Sequence, residues 1–360
     1  MKKNIFTLLS VVILFVGGCN RTKDASSLPR GEVSNQWSVA AKKFRTEAKK
    51  IDKPSMPGPL SIMAVERGKV VFEKWYEGYT PDSVYNTYSI SKTVLALAAG
   101  CAVDEGLINV DDKVADYFSD KLPDTASDSL SSMTLRHLLT MTSGLEETPK
   151  LLGVFRGNKD FDWTEEFFNS TLTSLPGTQF YYNLFAPCIV ASMLEKRIGM
   201  NVVDYIKPRL LEPMHITDLE WEKTSDGTCI GAWGMSACTE DLAKIGQLLL
   251  QHGEWNGRQL VSKEWVDTMT SKLIPSTSLC AFTKGIDPAL LSDKNDDHAQ
   301  GYGYYVWQGK YGSYRAEGLD GRYIIISPTK QTVFVITSHS AIQQQVYIDL
   351  IWEMFGHLMK

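Results

Sequence analysis

The key to this 360-residue chain is Ser89-Ile90-Ser91-Lys92, which runs directly into Thr93-Val94-Leu95-Ala96-Leu97-Ala98-Ala99. The apolar run predicts a buried helix that begins at about Ser89. Residues three apart at a helix start lie on one face, so the Lys92 amine can reach the Ser89 hydroxyl. If burial or a neighbouring cation lowers the pKa of a lysine from its usual value of about 10.4, the amine can take the serine proton. The segment therefore predicts a nucleophile, Ser89, with its base, Lys92, at a helix N-terminus that also favours a developing oxyanion.

A second Ser-x-x-Lys pattern occurs at Ser327–Lys330, but its surroundings differ. It lies between the apolar, β-branched runs Tyr323–Ile326 and Thr332–Ile336, which predict two strands joined by a turn. No helix is predicted to follow it, so no helix dipole would support a nucleophile there, and the segment is interpreted as a solvated loop. Because so short a pattern occurs by chance about once or twice in a chain of this length, only the Ser89 copy is interpreted as catalytic.

Residues 1–18 predict a signal peptide. Two lysines precede the apolar stretch Ile5–Val16, which is too short for a comfortable membrane span. The segment Val16-Gly17-Gly18-Cys19 resembles a bacterial lipobox, in which cleavage precedes the cysteine and the cysteine carries lipid. An ordinary signal peptide with an incidental cysteine is the alternative. We expect a protein anchored in a bacterial cell envelope through lipidated Cys19, facing the periplasm or the exterior.

Composition excludes several classes of protein. The formal net charge is −5, and loss of residues 1–18 would remove two more positive charges. There is no basic patch interleaved with aromatic residues, so nucleic acid is not an expected partner. The six histidines lack metal-binding spacing, and we expect neither a metal site nor a cofactor. Five cysteines besides Cys19 show no close pairing, which favours buried thiols over a disulfide framework.

Strand-like segments at both chain ends flank a helical middle. Leu60–Val65 and Lys69–Tyr76 surround Glu66-Arg67-Gly68, a hairpin signal. From about Val94 to Gln300 the patterns are mainly helical. Further strand-like segments lie at 303–308, 311–317, 323–327 and 332–338, and a last helix is predicted over 341–359. The prediction is an α/β (α+β) fold, with an antiparallel sheet from both chain ends, flanking helices and an inserted, mainly helical lobe.

The predicted organisation has three parts. Residues 1–18 are the signal peptide. Residues 19–53 comprise the lipidated cysteine, a polar tether that includes residues 20–32, and a short helix from about Ser34 to Lys50. Residues 54–360 form one folding unit, because strands from its two ends must pair across the insertion.

Five stretches in order resemble the serine β-lactamase/penicillin-binding-protein superfamily, in its class C-related branch of esterases, amidases and 6-aminohexanoate-dimer-hydrolase-like proteins. They are YSISKT (88–93), DEGLINVDDKV (104–114), TLRHLLTMTSGL (134–145), PGTQFYYN (176–183) and WGMSACTEDLAK (233–244). The resemblance covers nearly all of residues 54–360. It implies a β-lactamase/transpeptidase-like fold and a serine hydrolase domain that cleaves an ester or amide bond through an acyl-enzyme. Ser89 would be the nucleophile and Lys92 its base.

The family's second element is a tyrosine in a Tyr-x-Asn or Tyr-x-Ser triplet that relays a proton. The usual spacing from Pro176-Gly177 places this residue at Tyr182, although the third member is then Leu184. A one-residue deletion would instead give Tyr181-Tyr182-Asn183, which makes Tyr181 and Asn183 the alternative register. We prefer Tyr182 because it preserves the loop length. A third interpretation treats both tyrosines as packing residues.

The family's third element, a Lys-Thr-Gly or His-x-Gly segment, corresponds to residues 315–321. Gly318 fits, because the backbone there must approach closely. Ala316 replaces the basic or imidazole residue that would bind a β-lactam or peptide carboxylate, which argues against efficient β-lactamase or transpeptidase action. The resemblance implies an oxyanion hole formed by the N–H groups of Ser89 and Leu319, with Gly318 beside them.

The expected partners are a small ester, amide or peptide substrate and, through the lipid, a membrane. Two alternatives stay open: a penicillin-binding, D-amino-peptide-cleaving or β-lactamase enzyme of the same fold, and a binding or regulatory module whose site has decayed. Loops at 148–163 and 274–300 are predicted to wall the pocket. Nearby aromatic residues favour an apolar acyl or leaving group: Tyr181, Tyr182, Phe185 and Trp233.

Overall fold

A six-stranded antiparallel sheet built from both chain ends is the centre of the fold, in a computed structural model that describes residues 27–123, 126–145, 162–276 and 296–360. In spatial order the strands are β2 (Lys69–Trp75), β1 (Gly58–Glu66), β11 (Thr332–His339), β10 (Arg322–Ser327), β9 (Tyr314–Gly318) and β8 (Trp307–Gln308). Strands β1 and β11 pair with Ile62 opposite Ile336. The predicted sheet, which joins the two chain ends across the insertion, is confirmed.

Shorter strands and most helices lie between β2 and β8 in the chain. A second sheet contains β3 (Val84–Asn86), β5 (Met235–Cys238) and β4 (Glu220–Trp221), and β6 (Glu254–Trp255) pairs with β7 (Arg258–Gln259). The helices before residue 200 are α1 (Asn35–Ile51), α2 (Ile90–Asp104), α3 (Val114–Tyr117), α4 (Asp128–Ser131), α5 (Leu135–Leu139), α6 (Trp163–Phe168) and α7 (Phe185–Ile198). They are followed by α8 (Val202–Ile206), a π-helical turn (Lys207–Leu211), α9 (Thr239–Leu250), α10 (Lys263–Met269) and α11 (Gln344–Met359).

Helices α1 and α11 cover one face of the large sheet. Trp37 of α1 stacks on Phe334 of β11 and on Phe355 of α11, with ring centroids 5.6 and 5.7 Å apart. The predicted helix over residues 34–50 is therefore present. Its apolar stripe is buried against the sheet, so it packs as part of the layered fold rather than as a separate segment.

Helix α2 is enclosed between the other face of the sheet and the helical lobe. Thirteen of its fifteen residues are buried, as expected of a helix that is apolar on all sides. Gly100 has no room for a side chain, since a Cβ there would lie 2.4 Å from the indole of Trp265 in α10. Close packing along α2 fixes the position of its first turn, where the predicted nucleophile lies.

The segment before α1 is docked on the outer strand β2. The N–H of Val70 donates to the carbonyl of Pro29 at 2.8 Å, and the N–H of Gly31 donates to the Val70 carbonyl at 2.9 Å. Leu28 is buried, and its N–H donates to the Glu240 carboxylate at 2.6 Å. The structure thus differs from the predicted tether: from Leu28 onward the chain belongs to the fold, because its backbone extends the sheet and its leucine joins the core.

Several sequence predictions concern residues outside the described ranges. These are the signal peptide and Cys19, residues 148–161 and 277–295 of the two predicted pocket loops, and Cys280. Four described cysteines are buried thiols, as predicted: Cys101, Cys188, Cys229 and Cys238. Within the described ranges, no helix has the length and apolar character needed to span a membrane.

Candidate active site

Ser89 and Lys92 are in direct contact at the start of α2. Ser89 is the N-cap residue, and the Lys92 Nζ lies 2.7 Å from the Ser89 Oγ. The same Nζ donates to the carbonyl oxygen of Ala232 at 2.8 Å. Lys92 is only 1% exposed, so its amine is shielded from solvent. The geometry therefore brings the predicted nucleophile and the predicted base together.

Ser91 points away from this pair. It is fully buried, and its Oγ lies 3.4 Å from the carbonyl oxygen of Gly231, whereas Ser89 is partly exposed. A Cβ on Gly231 would lie 2.2 Å from the Pro187 carbonyl oxygen, so only glycine lets this segment pass between α2 and α7. The close passage aims the Ala232 carbonyl at Lys92. Sequence reasoning missed this acceptor, because a backbone carbonyl leaves no side-chain signal.

The second Ser-x-x-Lys pattern forms the turn between β10 and β11, as predicted. The Ser327 Oγ donates to the carbonyl oxygen of Met359 at 2.6 Å, which ties the turn to the end of α11. Ser327 is 1% exposed, so the prediction that this serine is solvated is wrong. Its hydroxyl is part of the packing between the sheet and α11.

Tyr182 lies beside the Ser89–Lys92 pair. The Lys92 Nζ is 4.9 Å from the centroid of the Tyr182 ring. The ring stacks on Trp307 with centroids 5.5 Å apart and stands perpendicular to Tyr302 at 6.4 Å. Trp307 was not among the predicted site residues, because an aromatic residue in a strand-like segment is indistinguishable from core by sequence pattern.

Asn183, from the alternative register, braces the backbone. It is 1% exposed; its Nδ2 donates to the Tyr181 carbonyl at 3.1 Å, and its Oδ1 accepts from the N–H of Ala186 at 2.8 Å. The N–H of Tyr181 donates to the carbonyl of Met141 at 2.8 Å. These contacts fix the loop that leads into α7. The Tyr182 ring is the one described beside Lys92, and which of the two tyrosines relays a proton stays a prediction.

Strand β9 brings Gly318 against the residues that precede Ser89. A Cβ on Gly318 would lie 2.3 Å from the carbonyl oxygen of Thr87. The predicted close approach is present: the backbone of Thr87 lies against Gly318, where a larger residue would clash with it. This contact joins the two segments that carry the predicted oxyanion donors, the N–H groups of Ser89 and Leu319. Ala316 is buried in the apolar core, so this position of β9 offers no cation to a substrate.

Two charged side chains of β9, Arg315 and Glu317, belong to a buried network of ion pairs. The Arg315 guanidinium contacts Glu317 at 2.8 Å and Asp297 at 2.5 Å, and the His298 Nε2 lies 2.8 Å from Glu317. Burial alone would lower the pKa of His298, but the Glu317 charge and hydrogen bonds with Asp296 and Glu317 raise it to about 10. Burial would raise the pKa of Glu317, but the charges of His298 and Arg315 lower it to about 2. Both groups are therefore charged at neutral pH.

Two aromatic rings, those of Trp307 and Tyr182, lie between the charged network and the Ser89–Lys92 pair. The His298 ring meets the Trp307 ring edge-on, with centroids 4.9 Å apart. Trp307 in turn stacks on Tyr182, whose ring faces Lys92. Tyr182 thus packs on Trp307, and Trp307 packs on His298, which is itself held by its ion pair with Glu317.

The sequence model of the Beta-lactamase family matches residues 45–351, which is most of the chain. The chain therefore belongs to the beta-lactamase family, a family of hydrolases with this fold. Both the predicted superfamily and the predicted fold class are confirmed.

Individual relatives are distant. The 6-aminohexanoate-dimer hydrolase of Paenarthrobacter ureafaciens is 25% identical over 222 residues, which cover 57% of this chain and 55% of that protein. The chain thus spans about half the length of this relative.

Two solved structures share the fold over most of this chain. A Bacillus anthracis protein described as a 6-aminohexanoate-dimer hydrolase has a TM-score of 0.73 and 17% identity, covering 92% of this chain and 87% of that one. EstCE1, a hydrolase with promiscuous acyltransferase activity, has a TM-score of 0.67 and 16% identity, covering 89% and 99%. At such identities the similarity concerns the fold alone.

Proposed function

We propose that this protein is a serine hydrolase that cleaves an ester or amide bond through an acyl-enzyme on Ser89. The observation that carries the proposal is the 2.7 Å contact between the Lys92 Nζ and the Ser89 Oγ at the start of a buried helix. A nucleophile needs an adjacent base within about 2.6–3.2 Å, held in a fixed orientation. Here the base is oriented by the Ala232 carbonyl and by the packing of α2.

The reaction would proceed in two halves. In the first, Lys92 takes the Ser89 proton while Oγ attacks the carbonyl carbon, and the oxyanion forms beside the N–H groups of Ser89 and Leu319. The tetrahedral intermediate then expels an alcohol or amine, which receives a proton through Tyr182. In the second half a water molecule attacks the acyl-enzyme, the acid leaves, and Ser89 regains its proton.

The substrate we propose is an ester or a small amide with a neutral, apolar acyl group. Ala316 supplies no charge to bind a carboxylate, and the stacked rings of Tyr182 and Trp307 provide apolar surface beside Lys92. A β-lactam or a peptide ending in a carboxylate would lack its usual cationic partner at this position. Esters are therefore favoured over penicillins and cell-wall peptides.

We also propose that the protein is held at the bacterial cell envelope by lipid on Cys19. This proposal depends on the sequence Val16-Gly17-Gly18-Cys19 and on the charged and apolar regions before it. A lipidated cysteine with several acyl chains would anchor the protein stably.

The test combines covalent labelling with a substrate screen. A fluorophosphonate probe should label wild-type protein, and hydrolysis of p-nitrophenyl esters, D-amino-acid peptides and nitrocefin should be compared at equal concentrations. Ser89→Ala should lose both labelling and hydrolysis, whereas Ser91→Ala, which changes a buried hydroxyl on the same turn, should keep most of both. Absence of labelling and turnover in wild type would favour the decayed-module alternative. If nitrocefin or D-amino-acid peptides were hydrolysed much faster than the esters, the result would favour a penicillin-binding, D-amino-peptide-cleaving or β-lactamase enzyme.

A further inference from the structure

Tyr88, the residue before the nucleophile, has an unusual backbone conformation. Its φ is +48°, in the left-handed region that residues other than glycine seldom adopt. A strained residue of this kind persists only where its surroundings hold it in place. The contacts of Tyr88 therefore determine where Ser89 and its N–H lie.

Three groups hold Tyr88. Its N–H donates to the Asn86 Oδ1 at 2.8 Å, and its hydroxyl donates to the Asp320 Oδ2 at 3.3 Å. The guanidinium carbon of Arg322 lies 4.6 Å from the ring centroid, a cation–π contact. Burial raises the pKa of Tyr88, so at neutral pH the phenol keeps the proton that it donates.

Asp320 belongs to the segment on the opposite side of the oxyanion hole. It lies in the turn between β9 and β10, directly after Leu319, and this turn needs left-handed backbone at both Asp320 (φ +62°) and Gly321 (φ +79°). The Arg322 Nη1 donates to the Leu319 carbonyl at 3.1 Å and lies 3.4 Å from the Asp320 Oδ2. The His339 Nδ1 lies 3.1 Å from the same oxygen. The carboxylate is thus fixed from β10 and from the end of β11.

We propose that Asp320 is a positioning residue for the oxyanion hole, acting through the Tyr88 hydroxyl. Two contacts set the separation of the segments that carry the Ser89 and Leu319 N–H groups. The contact of Gly318 with the Thr87 carbonyl stops the segments from coming closer. The Tyr88–Asp320 hydrogen bond stops them from moving apart. This inference rests on the proposed acyl-enzyme mechanism, since the separation matters only if an oxyanion forms between the two groups.

The test compares Asp320→Ala, Tyr88→Phe and the double variant, with the best p-nitrophenyl ester from the screen. The matched control is Asp267→Ala, which removes another carboxylate held by a histidine and a cation, His252 and Lys263, far from Ser89 in the chain. We expect each single variant at the site to lose about 10- to 100-fold in kcat with KM changed less than about threefold. The double variant should lose no more than the worse single variant, because both remove one interaction. Asp267→Ala should keep wild-type kinetics.

A boronic acid inhibitor, which forms a tetrahedral adduct on a serine, separates positioning from general structural damage. Its affinity should fall by the same factor as kcat/KM in Asp320→Ala, while the unfolding free energy of Tyr88→Phe stays close to that of wild type. Unchanged kcat in both single variants, or losses that multiply in the double variant, would overturn the proposal. If Asp320→Ala folds poorly, Tyr88→Phe decides alone, because it removes only one oxygen. Full activity in Ser89→Ala would instead refute the proposed function itself.

Discussion

The Lys92 Nζ lies over the ring of Tyr182, 4.9 Å from its centroid, while it contacts the Ser89 Oγ at 2.7 Å. One lysine thus contacts both the proposed nucleophile and the aromatic residue proposed to relay a proton. The Tyr182 ring also stacks on Trp307, with centroids 5.5 Å apart, so it contacts both a tryptophan and the lysine. In the proposed mechanism, these aromatic neighbours would orient Tyr182 even though Leu184 occupies the third position of its triplet.

The first prediction compares the two tyrosines. Tyr182→Phe should lower kcat at least about 100-fold, because loss of a positioned general acid–base group typically costs 10²–10⁴-fold. Tyr181→Phe should cost less than about tenfold, since a packing ring survives the change. Steady-state kinetics of both variants provide the measurement. The reverse ranking would establish Tyr181-Tyr182-Asn183 as the working triplet, and two mild effects would mean that Lys92 acts without a tyrosine.

The second prediction concerns Gly318. Gly318→Ala would place a methyl group 2.3 Å from the Thr87 carbonyl oxygen, so β9 must move away from the nucleophile segment. A displacement of about 1 Å at a reacting centre can cost about 100-fold in rate, and we expect a loss of kcat of that order. The matched control is Gly31→Ala, whose Cβ would lie 3.3 Å from the Cβ of Lys69 and should leave kcat unchanged. Wild-type kcat in Gly318→Ala would show that β9 does not set the site.

The third prediction concerns the buried network at His298. His298→Gln removes a cation from beside Glu317 and Asp296, and breaking a buried ion pair typically costs about 3–5 kcal/mol of unfolding free energy. The exposed pair of His252 and Asp267 provides the control, since His252→Gln should cost no more than about 1 kcal/mol. Urea unfolding monitored by fluorescence gives both values.

The pH dependence of this loss has a defined sign. The pKa of His298 is raised from 6.5 to about 10, so its contribution is complete below pH 6.5 and is lost as the pH rises through about 10. The pKa of Glu317 is lowered from 4.5 to about 2, so its contribution is complete above pH 4.5 and is lost as the pH falls towards 2. The stability difference between wild type and His298→Gln should therefore be largest between pH 4.5 and 6.5. A difference that stayed constant up to pH 10 would contradict the assigned charge state.

The fourth prediction concerns the N-terminus. If Cys19 is the lipidated residue, Cys19→Ala should remain unprocessed by the lipoprotein peptidase and should lack lipid. Mass spectrometry of protein purified from membranes checks the mature N-terminus directly. A mature wild-type chain with an unmodified N-terminus at another residue would refute the anchor.

The sequence predicted the parts of the fold that depend on periodicity. Arg67 and Gly68 both have left-handed backbone in the turn of the β1–β2 hairpin. This hairpin could be predicted because the residue types that favour such a turn are adjacent in the sequence. The Ser89–Lys92 contact could be predicted from the sequence because both residues lie within one helical turn. Strand β8 was overestimated: residues 303–308 were predicted as strand, and only Trp307–Gln308 form one. Tyr304 and Tyr305 are buried by tertiary packing outside the sheet, and their aromatic side chains gave the sequence the composition of a strand.

The parts that sequence could not predict depend on contacts between distant segments. The Ala232 carbonyl, the Trp307 ring and the Asp320 carboxylate all reach the site from elements far from Ser89 in the chain. A backbone carbonyl has no residue signature, and an aspartate in a hairpin turn is ordinary turn chemistry. The tether was misjudged for a related reason. Polar composition before α1 indicated a mobile segment, whereas docking of Leu28 depends on a partner, Glu240, that follows about two hundred residues later.

The docking of Pro29–Gly31 on β2 has a consequence for self-association. Strand β2 is the outermost strand on its side of the large sheet, and an uncovered outer strand is a template for pairing with another chain. The hydrogen bonds between Val70 and this short segment occupy part of that edge. A chain trimmed to begin at Asn35 would expose those groups and would leave an apolar hole where Leu28 is buried. The unpaired N–H and C=O groups of β2 in such a chain could pair with a strand of a second molecule. The docked segment would therefore reduce self-association by occupying this edge within the same chain.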